Sequence, residues 1–209
     1  MSESEIGLYY PNRWPRIIMI STEEIIGEKG VAALLNLAGL PQYIRNYPPD
    51  NMKKEFPFEH VGKLQQAFWD MYGPRGARVF ATRAGAKTFN DGLESFGAVA
   101  QAARAAMRIG SLEKRISIGL NFFAKFFNTV SDQKVRVEES DEEWTWNIEK
   151  CPMCTGRTAT EPVCHLAVGV LQAALENFAD KDRRYSVKPT HCIAMGHEEG
   201  IIVVDKKFL

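Results

Sequence analysis

An α+β fold follows from three features of the chain. Up to about residue 130 the apolar residues recur at helical spacing. After Ser131 the period drops to two, and a further helical run separates two such alternating stretches. The expected architecture is an N-terminal helical layer, about 22–130, packed on a small antiparallel sheet. The sheet would come from a hairpin–helix–hairpin part, about 131–209, all within one domain spanning 1–209.

The first helix is expected over 22–39. Ser21 or Thr22 would cap it, Glu24 would complete a capping box, and Gly39 with Pro41 would end it. Residues 42–56, "QYIRNYPPDNMKKEF", read as a polar, proline-rich loop. A second helix over 58–72 aligns Val61, Leu64, Phe68 and Met71 before "GP" stops it. A weaker one over 75–93 carries Val79, Phe80, Ala84, Phe89 and Leu93, and an Ala-rich helix is expected over 96–109.

The run 111–130 opens on Ser111 as a cap and carries two apolar stripes. Ile116, Leu120, Phe123 and Phe127 form one; Ile118, Phe122 and Phe126 form the other. A helix apolar over more than half its circumference is buried on two sides, lines a pocket or meets a partner. Val135 and Val137, then Trp144, Trp146 and Ile148, alternate with polar residues around "SDEE", the pattern of a hairpin with one apolar face. Pro162 suits the first position of a last helix running to Phe178, with Cys164, Val168, Leu171 and Leu175 inward. Closing strands are expected near 184–192 and 201–207.

Composition narrows the partners. Lys+Arg and Asp+Glu number 26 each in 209 residues, so no basic field draws in nucleic acid or an acidic membrane. The apolar stretches are too short for a membrane span, and "MSESEIGLYY" does not read as a signal peptide. A cytoplasmic location is expected, where stable disulfides are disfavoured.

Four cysteines stand at the spacing C-x2-C-x9-C-x27-C. The pair in "CPMC" follows a strand, Cys164 lies at the start of the last helix, and Cys192 ends a strand. Zinc takes four S or N ligands, and these places can converge on one tetrahedral site formed by Cys151, Cys154, Cys164 and Cys192. A disulfide framework, a redox pair and unrelated buried thiols are the other readings, and His165 or His191 can stand in as ligands. His60 and His197 carry no motif. For a small molecule, the candidate walls are Phe122, Phe123 and Phe126 on the helix and Trp144 and Trp146 on the hairpin. The competing account is that these rings fill the core.

The stretch "CPMC…EPVCHLAVGVLQAAL…CIAMG" resembles the 4-vinyl reductase domain family. Cys164, Gly169, Cys192, Ala194 and Gly196 match its pattern. The resemblance covers roughly 145–204; over the N-terminal helices it is one of order and length. It implies a fold like that of haem–nitric oxide binding domains and vesicle-tethering subunits, often dimeric, that binds an apolar or aromatic small molecule. Relatives include a bacteriochlorophyll-synthesis accessory protein and phenol-sensing domains of transcription activators, where a zinc ion pins the C-terminal hairpin. Many relatives carry a further cysteine four residues after the last motif glycine; here that place is Gly200, and the CPMC pair can supply the missing ligands.

Three functions follow as expectations. The first is a sensor or carrier with a structural zinc. The second is a tetrapyrrole-pathway accessory protein or reductase, although no G-x-G-x-x-G follows a strand. The third is a protein–protein interaction module. A homodimer formed through N-terminal helical surface is expected in any of them.

Overall fold

Two short strands, β1 (Tyr9–Pro11) and β2 (Lys54–Pro57), pair antiparallel with Tyr10 opposite Phe56. They begin a computed structural model that describes residues 7–98, 101, 110–179 and 183–209. The Ala-rich helix expected over 96–109 falls almost wholly outside the described residues. The 42–56 stretch is more ordered than a polar loop. It contains a 3-10 turn, Pro41–Tyr43, and then β2, whose single buried side chain, Phe56, is too little alternation to announce a strand.

Helix α1 spans Arg13–Leu37 and starts well before the expected residue 22. Ser21 is no cap: it is fully buried inside the helix, and its hydroxyl donates to Asp91 Oδ2 at 2.7 Å. The early turns hide Trp14, Ile17, Ile18 and Met19, an apolar cluster without one-sided periodicity. Gly27, at φ 75°, interrupts the helix, a conformation that side-chain-bearing residues avoid. The end is as expected: Gly39 is left-handed, and Leu40 N donates to Leu35 O at 2.9 Å, the pattern of a Schellman cap.

Helix α2 spans Phe58–Ser95 but breaks at Gly73, followed by Pro74. Its two halves correspond to the separate helices read from the sequence. Val79 does not join the apolar face and is 54% exposed. Helix α3, Leu112–Val130, is capped by Ser111, whose hydroxyl accepts from Lys114 N. Its first stripe is buried at Ile116, Leu120 and Phe127; Ile118, Phe122, Phe123 and Phe126 are half-buried.

The second part follows the expected order. Strands β3 (Val135–Glu139) and β4 (Glu143–Ile148) form the hairpin, helix α4 spans His165–Phe178, and β5 (Tyr185–His191) and β6 (Gly200–Phe208) close the chain. The sheet order is β3-β4-β6-β5, all antiparallel. Pro162 lies ahead of α4 rather than at its first position, and Cys164 is the N-cap residue instead of part of the first turn.

Two glycines let α2 and α4 touch backbone to backbone. A Cβ on Gly169 would lie 1.9 Å from Thr82 O, and one on Gly85 would lie 2.1 Å from Leu166 O. The chain segment carrying the CPMC turn is pressed on α2 in the same way, since a Cβ on Gly62 would meet Thr155 O at 2.0 Å. The start of α4 and the CPMC turn are therefore held in one place against one helix.

Candidate functional site

The four sulfurs converge. The CPMC turn follows β4, and Cys154 N donates to Cys151 O at 3.1 Å, so the turn folds both thiols to one side. Cys164 enters as the N-cap of α4, and Cys192 follows β5 at the start of a 3-10 turn, Ile193–Met195. All four are free thiols, and each is at most 4% exposed. Cys154 Sγ is 3.3 Å from Cys164 Sγ and 3.4 Å from Cys192 Sγ. Cys164 Sγ is 3.7 Å from Cys151 Sγ and 3.8 Å from Cys192 Sγ. Sulfurs placed tetrahedrally about 2.3 Å from a metal stand about 3.8 Å apart. The four distances are close to that size; Cys151, Cys154 and Cys164 form a group competent to hold a metal, and Cys192 adjoins it through Cys154 and Cys164.

Its electrostatics suit a cation. Hydrogen bonding from Cys154 and Cys164 draws the Cys151 thiol well below the ordinary range, whereas the bonds to Cys151, Cys154 and Cys192 push Cys164 well above it. Metal binds the thiolate form, so a bound cation would take the place of the thiol protons. The Arg157 guanidinium faces the cluster and feels all four thiols. It is fixed by bonds from Nε to Gln66 Oε1 and from Nη1 to Met153 O, both 3.0 Å, which tie the CPMC turn to α2.

No histidine belongs to the metal-competent group among the described residues. His165 is buried and its Nε2 lacks a partner there; burial, and then the charge of Arg78, lower its pKa to about 4, keeping the ring neutral. His197, which carries no sequence motif, braces the site: its Nδ1 accepts from Cys192 N at 3.2 Å.

Beside the sulfurs lies a cavity of about 30 Å³ whose walls include Tyr10, Trp14, Phe123, Gln133, Trp146 and Met153, with α4 closing it. Phe123 and Trp146 meet there with ring centroids 5.6 Å apart. The other three aromatic residues singled out in the sequence lie elsewhere. Phe122 and Phe126 line an open groove of about 430 Å³ together with Met52 and Phe96. Trp144 is 1% exposed and packs on Tyr185; its Nε1 donates to Ser117 Oγ at 2.9 Å, and Lys206 Nζ sits 4.8 Å from its ring centroid. Sequence reasoning missed Tyr10, Gln133, Met153 and Arg157. Met153 alone had a visible signal, its place inside CPMC.

With this geometry in hand, the chain can be set beside known proteins. Residues 144–205 match the family model of the 4-vinyl reductase domain. No curated protein matches the chain by sequence. The solved structures it resembles include an H-NOX protein from S. oneidensis in the Fe(II)NO ligation state, at 11% identity and TM-score 0.55, covering 93% of this chain and 98% of that one. The Fe(II) unliganded H-NOX protein from K. algicida gives 13% identity and TM-score 0.57 over 92% and 96% of the two chains. The phenol-responsive sensory domain of the transcription activator PoxR, solved with phenol, gives 16% identity and TM-score 0.50 over 69% and 72%.

A haem does not fit the cavity described above. Ligand pockets usually enclose ~300–1,000 Å³, against about 30 Å³ here, and none of the chain's four histidines lines the space. The likeness to H-NOX proteins is one of fold. Over residues 144–205, which take in β4, the cysteine-capped helix and the closing strands, the chain matches the 4-vinyl reductase domain family, carried on the fold that H-NOX proteins share.

Proposed function

We propose that the protein is a sensor or carrier module for an apolar or aromatic small molecule, with a structural zinc held by Cys151, Cys154, Cys164 and Cys192. One observation carries the reading: the sulfur cluster and the cavity share two segments, the CPMC turn and the start of α4. Cys151 and Cys154 face the cluster, while Met153 between them lines the cavity. Cys164 is the N-cap residue of α4, whose Leu166 and Val170 line the cavity two and six residues on. A metal on the sulfurs would therefore fix two walls of the space a ligand enters. Four thiolates leave no open position, so the metal would supply cross-linking and no activated water. Arg157 would offset part of the negative charge of a tetrathiolate site.

The ligand class rests on the aromatic wall, Trp14, Phe123 and Trp146; the PoxR sensory domain, of similar fold, responds to phenol. Four free thiols suit the reducing cytoplasm. Among the described residues, no helix is long and apolar enough to cross a membrane. The open groove along α3, with Phe96, Phe122 and Phe126, is the helical surface through which two copies would pair.

Native mass spectrometry of the purified protein tests all three parts together. The reading expects one zinc per chain, a dimer mass and a mass increment on adding phenol. Folded protein without metal would remove the zinc site, and one subunit's mass at high concentration would remove the dimer. No increment and no tryptophan quenching with phenols, tetrapyrroles or fatty acids would favour a pure interaction module.

A further inference from the structure

Within the apolar cavity one polar group is left over. Gln133 is 4% exposed and sits on the wall. Its amide oxygen accepts from the Tyr10 hydroxyl at 2.6 Å, and its backbone N–H donates to Ser131 Oγ at 3.1 Å. Among the described residues its side-chain nitrogen, Nε2, has no partner, yet it is not sealed off from open space as His165 Nε2 is. A buried N–H without an acceptor is costly, so such groups ordinarily face a water or a ligand.

The donor is also held still. Tyr9 N donates to Asp132 Oδ2 at 2.9 Å, and Asp132 N returns a bond to Tyr9 O at 3.1 Å. Lys54 Nζ grips the other oxygen of Asp132 at 2.7 Å. The reciprocal hydrogen bonds clamp the 131–133 segment to β1, and Tyr10, next along β1, holds the amide by its oxygen. A single oriented donor in an apolar enclosure is how binding sites add direction to hydrophobic affinity.

We propose that Gln133 Nε2 is the polar recognition point of this cavity, and that the ligand is a compact, uncharged apolar ring bearing one hydrogen-bond acceptor, such as a ketone oxygen. The proposal rests on the small-molecule reading above and adds the chemical class. An uncharged ligand follows because, among the described residues, no charged side chain lines the space, and an ion there would be uncompensated. Compactness follows from the volume: about 30 Å³ is little more than a water would occupy, so a ligand must push back the flexible Met153 side chain and the half-buried Phe123 ring. The open nitrogen only donates, so the ligand must accept.

The test compares cyclohexanone with methylenecyclohexane, two probes of nearly equal shape, one of them carrying the acceptor. Trp14 and Trp146 in the wall report binding by fluorescence, in the full chain with its metal content verified. The ketone should bind about ten-fold more tightly, the worth of one good hydrogen bond in a closed site. Gln133→Leu should abolish that preference, the two probes then binding alike, because the donor to the ligand is lost. Tyr10→Phe, which lets the amide turn, should reduce the preference without removing it. Gln133→Met gives the same readout if the leucine variant fails to fold. Equal binding of both probes to the unmodified protein, or a ketone preference that survives in Gln133→Leu, overturns the recognition point while leaving the small-molecule reading intact. Binding of neither probe overturns both.

Discussion

The surroundings of α4 are held together in two different ways. At its N-terminus four buried sulfurs are gathered from three places in the chain, each within 3.3–3.8 Å of at least one other. Along its flank, aromatic and aliphatic side chains meet without closing fully and leave about 30 Å³. Polar clusters have sharp distance requirements, so displacement of one member costs the whole set. Apolar contacts lose energy gradually with separation and can be rearranged. The sulfur end is therefore the fixed part and the cavity the adaptable one. The contrast teaches that the chain places its tightest cluster beside, not within, its internal space.

The largest effect should come from breaking the fixed end. Cys154→Ser removes the sulfur that contacts both Cys164 and Cys192. Structural zinc sites contribute ~10 kcal/mol or more in small domains. Even a fraction of that should lower the melting temperature by about 10 °C or more and abolish stoichiometric zinc, as scanning calorimetry and elemental analysis would read. Unchanged melting and metal content would erase the distinction between the two regions.

Next comes the support shared by both. Gly169→Ala drives a Cβ to 1.9 Å from Thr82 O, a backbone atom that cannot swing away. The expected cost is ~3 kcal/mol in denaturant unfolding, at the upper end for overpacking. Gly62→Ala, at 2.0 Å from Thr155 O, should cost as much and also weaken zinc binding, because the strained segment carries Cys151 and Cys154.

The two hairpin tryptophans sharpen the comparison. Trp144 is enclosed and hydrogen-bonded to Ser117, so Trp144→Ala should cost ~3–5 kcal/mol, as for a filled core site. Trp146 borders open space, so Trp146→Ala should cost less and remove ligand binding. Equal stability losses would mean that the cavity is ordinary core.

A smaller effect is expected at Arg157→Met, which keeps the stem and deletes the charge. Zinc affinity should fall about ten-fold, as for other residues that orient metal ligands, with little change in folding. The smallest belongs to Arg136→Ala. The residue makes a two-point contact with Glu199 and a further bond to Glu138, but it is exposed, so unfolding should shift by about 0.5 kcal/mol or less.

These regions also differed in how far the sequence revealed them. The approach of the four cysteines was readable, because strand, turn and helix cues placed all four near one another. The hairpin announced itself through Trp144, Trp146 and Ile148, and the break in α2 through Gly73 and Pro74. The cavity was not readable. Tyr10 and Gln133 meet across 123 positions, and neither residue type is unusual alone. The start of α1 was missed because its first turns are buried on several sides, which removes the one-sided stripe that marks a helix. Ser21, a good cap by type, was taken up instead by Asp91 across the helix interface. Of the two stripes on α3, periodicity gave the spacing but not which would face the cavity, and Phe123 proved to be separated from Phe122 and Phe126.

In the proposed module, metal on the sulfurs and ligand in the cavity would stabilise each other through Met153 and α4. Binding linkage makes this reciprocal: if zinc favours the ligand, the ligand favours zinc by the same factor. The direct measurement is an equilibrium competition titration with a chelator, giving zinc affinity with and without saturating phenol. The account predicts tighter zinc binding with phenol present, by about five-fold or more, the lower end for coupled sites. Identical zinc affinity in the two titrations, with phenol demonstrably bound, would contradict it.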